Sequence, residues 1–385
     1  MKLKKFSLNH IVLVYIPAVI IFLGFIFSQA QFVNLPEYLF TKSILYYLVF
    51  ASIFFEIFFP LLYIYIFVKV MYGLICNLLK NSIHSFQKIK ASLQNTIKKR
   101  IPTTKKLLLF LATVQFATFS IVVMVNQIGD VNPDRVVNMS ERLMQWDYTV
   151  FGSYVPFALQ DLASNEVIDY LLVGAYLFLA VFLSLVLIFL IITKPMRYLR
   201  LYLFSFFLAA FLATPFWYLF PAVTPNEMYR ENKLEVTESG PIRDYAKMQS
   251  AKTSDRVTTL LAGLSQNASR PEEGHYHVPT FPSMHIAWSV VVVFFAFQIW
   301  LPFGSVSFLW GILNIFGSMY TLQHYAVDVL LGLFIGTCAI ALSYALIRVE
   351  ERGGFTKPPS IGVENIQNDI KSFSRWFREI IRLLK

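Results

Sequence analysis

The sequence predicts an all-α integral membrane protein with about eight transmembrane helices. Three observations carry that prediction. The 385 residues are 56% hydrophobic and only 15% charged, with 38 phenylalanines, which is more apolar surface than one soluble core can bury. Apolar runs long enough to cross a bilayer recur along the chain, since about 20 helical residues span about 30 Å of hydrocarbon. The basic residues cluster in alternate connections, as orientation in a membrane requires.

The runs lie at 9–29, 44–75, 107–127, 167–193, 198–220, 283–302, 305–322 and 325–348. The second exceeds one crossing, but Glu56 and Pro60 interrupt it without a polar turn, so it reads as one tilted or kinked helix. The run 305–322 is the shortest and contains Gly311 and Gly317. Its presence decides whether the segments on either side of it open on the same face.

Lys2, Lys4 and Lys5 precede the first run, and the loop after the second carries eight bases, from Lys80 to Lys106, without an acid. Lys194, Arg197 and Arg200, then Arg348, Arg352 and Lys357, mark two further connections of the same sign. All four read as cytoplasmic, with both termini inside. The loops 128–166 and 221–282 then lie on the outer or lumenal side, with the glycosylation sequons at Asn138 and Asn267. The basic start followed by an apolar run has the outline of a signal peptide, but the run exceeds the usual apolar region of about 7 to 15 residues and reads as a span. At the C-terminus Ile366, Ile370, Phe373, Phe377, Ile380, Ile381 and Leu384 recur every three or four residues among bases, the pattern of an amphipathic helix lying on the inner leaflet as an anchor. The organisation expected is two accessory spans and a basic loop over 1–106, a catalytic membrane domain over 107–348 and a cytoplasmic tail over 349–385.

The net charge of +10 does not indicate nucleic acid, because the bases sit beside apolar spans where anionic lipid and orientation account for them. Cys76 and Cys338 lie in or beside apolar runs and read as packing residues. His275 and His277 alternate, but no third ligand accompanies them at a convincing spacing, so no metal site is assigned. His10 and His84 read as interfacial residues.

Chemistry concentrates at two helix mouths. Phe281-Pro282-Ser283-Met284-His285 opens one run, and His324-Tyr325-Ala326-Val327-Asp328 opens another 39 positions after the first histidine. A chain that enters a membrane, turns and returns takes about 40 residues, so both histidines reach one face. His324 and Asp328 stand four apart, on one side of a helix. A carboxylate that accepts the Nδ1 proton of His324 leaves Nε2 free as a nucleophile and stabilises the ring once it is positive. His285 is the candidate general acid and base. Ser283 and the first amides of its helix are candidates to hold phosphate oxygens. Phosphorus fits this set better than an acyl carbon.

Pro-Ser-Met-His at 282–285 and His-x-x-x-Asp at 324–328 resemble the second and third motifs of the type 2 phosphatidic acid phosphatase (PAP2) superfamily. Phe281 to His285 with Gln323 to Val329 resembles most closely its inositol phosphorylceramide synthase-like branch, as do Trp217 to Pro221 with Pro225, and Asp147 to Gln160. The resemblance covers roughly 140–345. It implies a six-helix catalytic bundle and phosphotransfer without metal or cofactor through a phosphohistidine on His324, with His285 as acid and base and Asp328 as its orienting partner. The substrate implied is a lipid phosphate, lipid diphosphate or phosphodiester, reached from the surrounding membrane lipids.

Departures from the pattern bear on the reaction. Many phosphatases of that superfamily carry Lys-x6-Arg-Pro and an arginine six residues before the nucleophile; this chain has Ser318 there and no Lys-x6-Arg-Pro. Synthase-like members also lack that arginine, which favours transfer to a hydroxyl over hydrolysis. Donors for a phosphate remain in the outer loop at Arg230, Lys233, Arg243, Lys247, Lys252, Arg256 and Arg270. Asp147 and Asp161 read as solvated or structural. The rival from another class is a proton-coupled transporter with His285, His324 and Asp328 as its relay. A relay predicts polar groups deep within spans, whereas these three cluster at helix mouths on one side.

Overall fold

The computed structural model describes residues 133–230, 241–265 and 280–352. The runs at 9–29, 44–75 and 107–127, the basic loop between them, His10, His84, His275, His277, Asn267 and the amphipathic tail lie outside the described residues. Among those described, all regular structure is helical: α1 Pro133–Phe151, α2 Val155–Ala158, α3 Glu166–Leu177, α4 Leu179–Thr193, α5 Met196–Leu219, α6 Pro241–Ser250, α7 Asp255–Ser265, α8 Met284–Ile299, α9 Leu301–Tyr320 and α10 Ala326–Arg352.

Arg197–Leu219, Leu301–Tyr320 and Ala326–Val349 are each long and apolar enough to cross a membrane. The shortest run, 305–322, falls in a continuous 20-residue helix that begins four residues earlier and ends at Tyr320. The run 283–302 forms only 16 helical residues, because Trp300 adopts an extended conformation and Pro302 begins the next helix. The run 167–193 is not one helix. It breaks at Phe178 into α3 and α4, which meet at 53° and form a fourth crossing only if taken together.

The break has a cause in the neighbouring helix. The indole Nε1 of Trp310 donates to the Ala175 carbonyl at 2.9 Å, so that oxygen is drawn out of the helical ladder at the point where the ladder fails. Phe182 stacks on the same indole with centroids 4.2 Å apart. Below it Gly317 lets α9 press against the Leu172 carbonyl, where a side chain would collide with backbone.

The bundle closes around α8, which packs on α4, α5, α9 and α10. Val291, Val292, Phe295 and Ala296 of α8 are fully buried within this core. α5 and α10 run antiparallel: Arg197 at the start of one pairs with Glu351 at the end of the other at 2.6 Å. The opposite end therefore gathers the start of α8, the end of α9 and the start of α10. There Trp217 Nε1 donates to the Pro282 carbonyl at 3.4 Å, and Trp146, Phe216 and Phe220 pack around Phe281.

Candidate active site

Ser283 caps α8: its Oγ accepts from the Ile286 amide at 3.3 Å, satisfying one of the free amides of the first turn. The cap sets His285 one residue inside the helix. Across the site, α9 ends with Leu322 in the left-handed region, φ 55°, and the Ser318 carbonyl accepts from the amides of both Gln323 and His324. That closure leaves His324 at the mouth of α10. The two mouths are joined directly, since the Ser283 amide donates to the Asp328 carbonyl at 3.2 Å.

Asp147 of α1 completes the frame. Its carboxylate accepts from the amides of Ala326 and Val327 at 2.9 and 2.8 Å, so a residue far away in sequence caps α10. It is fully buried, which decides between the two sequence readings in favour of a structural role. Asp161 is exposed and pairs with Lys252.

His285, His324, Asp328 and Ser283 thus meet at one end of the bundle. His324 Nδ1 faces Asp328 Oδ2 at 3.5 Å, with 11% and 0% of the side chains exposed. Asp328 Oδ2 also accepts from the Tyr325 amide at 2.9 Å, which aims the carboxylate back along its own helix. Neither His324 Nδ1 nor Asp328 Oδ1 has a hydrogen-bond partner, so the ring and the carboxylate face each other without a formed hydrogen bond. The Thr280 carbonyl lies against the His324 ring, and the two imidazoles are near enough to interact electrostatically. A buried imidazole with a carboxylate behind it and a second histidine beside it is an arrangement that can support covalent transfer through nitrogen.

A model of the PAP2 superfamily matches residues 141–342, more than half of the chain. The chain belongs to the PAP2 superfamily. PAP2 members are phosphatases or phosphotransferases that act on lipid phosphates within membranes, and this PAP2 domain is an enzyme of that kind. No curated protein and no solved structure matches the chain significantly. The matched residues include Ser283, His285, His324 and Asp328.

Where many PAP2 phosphatases place an arginine, Ser318 is fully buried and donates its hydroxyl to the Ile315 carbonyl at 2.9 Å. Two of the sequence candidates for phosphate contact have acidic partners instead. Arg256 binds Asp169 at 2.7 Å and Glu166 at 2.8 Å and stacks over Tyr170, while Lys252 holds Asp161. Asp169 also accepts from Ser254 and Tyr320, so these groups tie α7 to α3 and to the end of α9. Lys247 is exposed on α6; Lys233 and Arg270 lie outside the described residues, as do the side chains of Arg230 and Arg243.

Sequence reasoning missed three residues that surround His285. Asn314 Oδ1 lies 3.0 Å from His285 Nε2, Asn314 Nδ2 donates to Ser289 Oγ at 2.7 Å, and the ring of Tyr176 stacks on the imidazole at 4.3 Å and 11°. The available signal was Asn314 itself, an amide in the middle of an apolar run, which needs a partner there. Next to this cluster a cavity of about 820 Å³ opens between α8, α9 and α10, lined by Ile286, Ser289, Val293, Gly311, Ile315 and Leu333 among others. On α8 it runs from Ile286 to Phe297, about 16 Å at 1.5 Å per residue.

Proposed function

We propose that the chain is a membrane phosphotransferase of the inositol phosphorylceramide synthase-like branch. It moves a phosphate-containing head group from a lipid donor to a hydroxyl acceptor through a phosphohistidine. The observation that carries this reading is the buried pairing of His324 Nδ1 with the Asp328 carboxylate beside His285. His324 Nε2 attacks phosphorus, a P–N bond forms, and the P–O bond to the donor breaks as His285 protonates the leaving oxygen. His285 then takes the proton of the acceptor hydroxyl, whose oxygen displaces His324 as the P–N bond breaks.

Two further features support the reading. Position 318 holds a buried serine rather than a cation, as in the synthase-like pattern. The cavity beside His285 is almost wholly apolar, and its length matches half of a hydrocarbon core of about 30 Å, so it suits one acyl chain of a donor drawn from a single leaflet. In this reading residues 107–348 form a six-helix catalytic unit, 1–106 and 349–385 are accessory, and the site faces the outer or lumenal leaflet.

Mass spectrometry of products from the purified chain and from His324→Ala, given lipid phosphates and phosphodiesters in EDTA with and without inositol or diacylglycerol, tests it. A new phosphodiester that needs both the acceptor and His324 is the expected result. Released phosphate irrespective of acceptor would make the enzyme a lipid phosphatase. Full turnover by His324→Ala would remove the nucleophile assignment.

A further inference from the structure

A short chain of hydrogen bonds reaches the His285 imidazole from its own backbone, and its proton count has one solution. Ser289 Oγ lies 2.8 Å from the His285 carbonyl oxygen. A carbonyl cannot donate, so the single hydroxyl proton of Ser289 occupies that bond. Ser289 therefore meets Asn314, 2.7 Å away, only as an acceptor, which requires Asn314 to present Nδ2 to it. The other end of the amide, Oδ1, then faces His285 Nε2 at 3.0 Å. An amide oxygen only accepts, so Nε2 carries hydrogen. Asn314 is fully buried and Ser289 is 4% exposed. Flipping the amide would leave Oδ1 facing a hydroxyl whose proton is already committed, a fault in a place where unmade hydrogen bonds are costly.

Tyr176 fixes the remaining freedom. Its ring lies nearly parallel to the imidazole, which restricts rotation of the histidine about its long axis. Its backbone carbonyl, next to the break between α3 and α4, also lies beside the ring and is another acceptor. The Asn314 amide thus calls for hydrogen on Nε2.

We infer that Asn314, locked by Ser289, is a positioning residue that keeps a proton on His285 Nε2 and makes Nδ1 the nitrogen that exchanges protons with substrate oxygens. The second half of this rests on the reading of His285 as acid and base. The balance is simple. The imidazolium gives its Nδ1 proton to the departing oxygen, leaving the neutral Nε2–H ring. Nδ1 then removes the proton of the attacking hydroxyl or water, restoring the imidazolium. Nε2–H is unchanged throughout, and the amide bonded to it provides no route for a proton into the apolar interior.

The test uses the full chain in lipid bilayers, labelled with 15N-histidine, with the His285 signals identified by their loss in His285→Gln. Nitrogen shifts distinguish protonated from bare ring nitrogens without any assay of activity. Where the ring is neutral, its hydrogen is expected on Nε2. Ser289→Ala releases the amide and should bring in the Nδ1–H tautomer, while Ser289→Thr, which keeps the hydroxyl, should return the spectrum to that of the parent. An Nδ1–H ring in the parent, or no change in Ser289→Ala, overturns the inference.

A second measurement addresses the proton exchange. Asn314→Leu should lower turnover of an alkyl lipid phosphate about 100-fold, since its alkoxide must be protonated, but that of p-nitrophenyl phosphate less than about threefold. Equal losses on both would reject the positioning role. Should the parent turn over neither, the acid–base reading falls and with it the exchange at Nδ1, while the spectrum still decides the tautomer.

Discussion

Gly332 and Gly336 lie one turn apart on α10, against the carbonyls of Ser283 and Ala287, one turn apart on α8. The two helices that carry the site therefore touch backbone to backbone, the small-residue packing that brings membrane helices closest. Gly332→Ala places a methyl 2.5 Å from the Ser283 carbonyl oxygen and 3.2 Å from Ile286 Cβ. An ordinary C···O contact is about 3.3 Å or longer, so the helix mouths must part by roughly 0.8 Å. The Ser283 amide, already 3.2 Å from the Asp328 carbonyl, would lose that bond, and His285 would move relative to His324. A displacement near 1 Å costs about 100-fold in a reaction that depends on alignment, whereas overpacking one methyl costs about 1–3 kcal/mol of stability. The variant should fold and bind lipid, yet lose one to two orders of magnitude in kcat/KM on whichever lipid phosphate the parent consumes. Gly174→Ala is the control, since a methyl there meets nothing within 4 Å and should change little. A folded Gly332→Ala enzyme within twofold of the parent would refute the claim that this contact sets the spacing of the two histidines.

Two other substitutions probe the frame and the cavity. Burial pushes the Asp147 carboxyl up to about 7 against the two amide bonds that pull it down. Between the ordinary carboxylate range near 4 and that value the folded protein holds a proton that the unfolded chain releases, so stability should fall as pH rises from 4 to 7. Asp147→Asn should lack that slope; thermal unfolding midpoints across the interval decide, and identical slopes would exclude Asp147 as their source. Ala341→Phe adds a ring to the cavity between α8, α9 and α10. It should lower the ratio of kcat/KM for long-chain over short-chain lipid phosphate by about tenfold, as expected for excluding several methylenes, whereas Leu342→Phe on the neighbouring exposed face should leave the ratio alone. Equal ratios for all three proteins would show that no acyl chain uses this cavity.

The sequence was legible where one physical rule acts on neighbours. Apolar length marked α5, α9 and α10, and the four-residue spacing placed His324 and Asp328 together, although His324 stands two residues before α10 begins. The spacing of the two motifs required α9 to be a full crossing, and a 20-residue helix stands there. What was not legible depends on partners distant in sequence. Asp147 caps a helix about 180 residues away, and nothing around it in the chain distinguishes it from a solvated acid. Arg256 and Lys252 looked like phosphate ligands because their acids, Asp169, Glu166 and Asp161, lie in an earlier loop and helix.

The broken span shows how such a distant partner reaches the chemistry. Hydropathy averages over residues and cannot see that Ala175 will surrender its carbonyl to an indole 135 positions later, so 167–193 reads as one straight helix. The same helix α9 supplies Trp310, which takes that carbonyl; Gly317, which lets α3 approach; and Asn314, which holds His285 Nε2. Tyr176 sits between the surrendered carbonyl and the bend, and its ring lies on the imidazole. One helix thus both bends α3 toward His285 and orients the histidine it meets. Shortness and the glycines Gly311 and Gly317 set 305–322 apart from the other predicted spans, and Gly317 is one of the residues that let it do so: a helix without Gly317, Trp310 and Asn314 could cross the membrane there, but it could neither draw on the α3 ladder nor keep a proton on the inner nitrogen of His285.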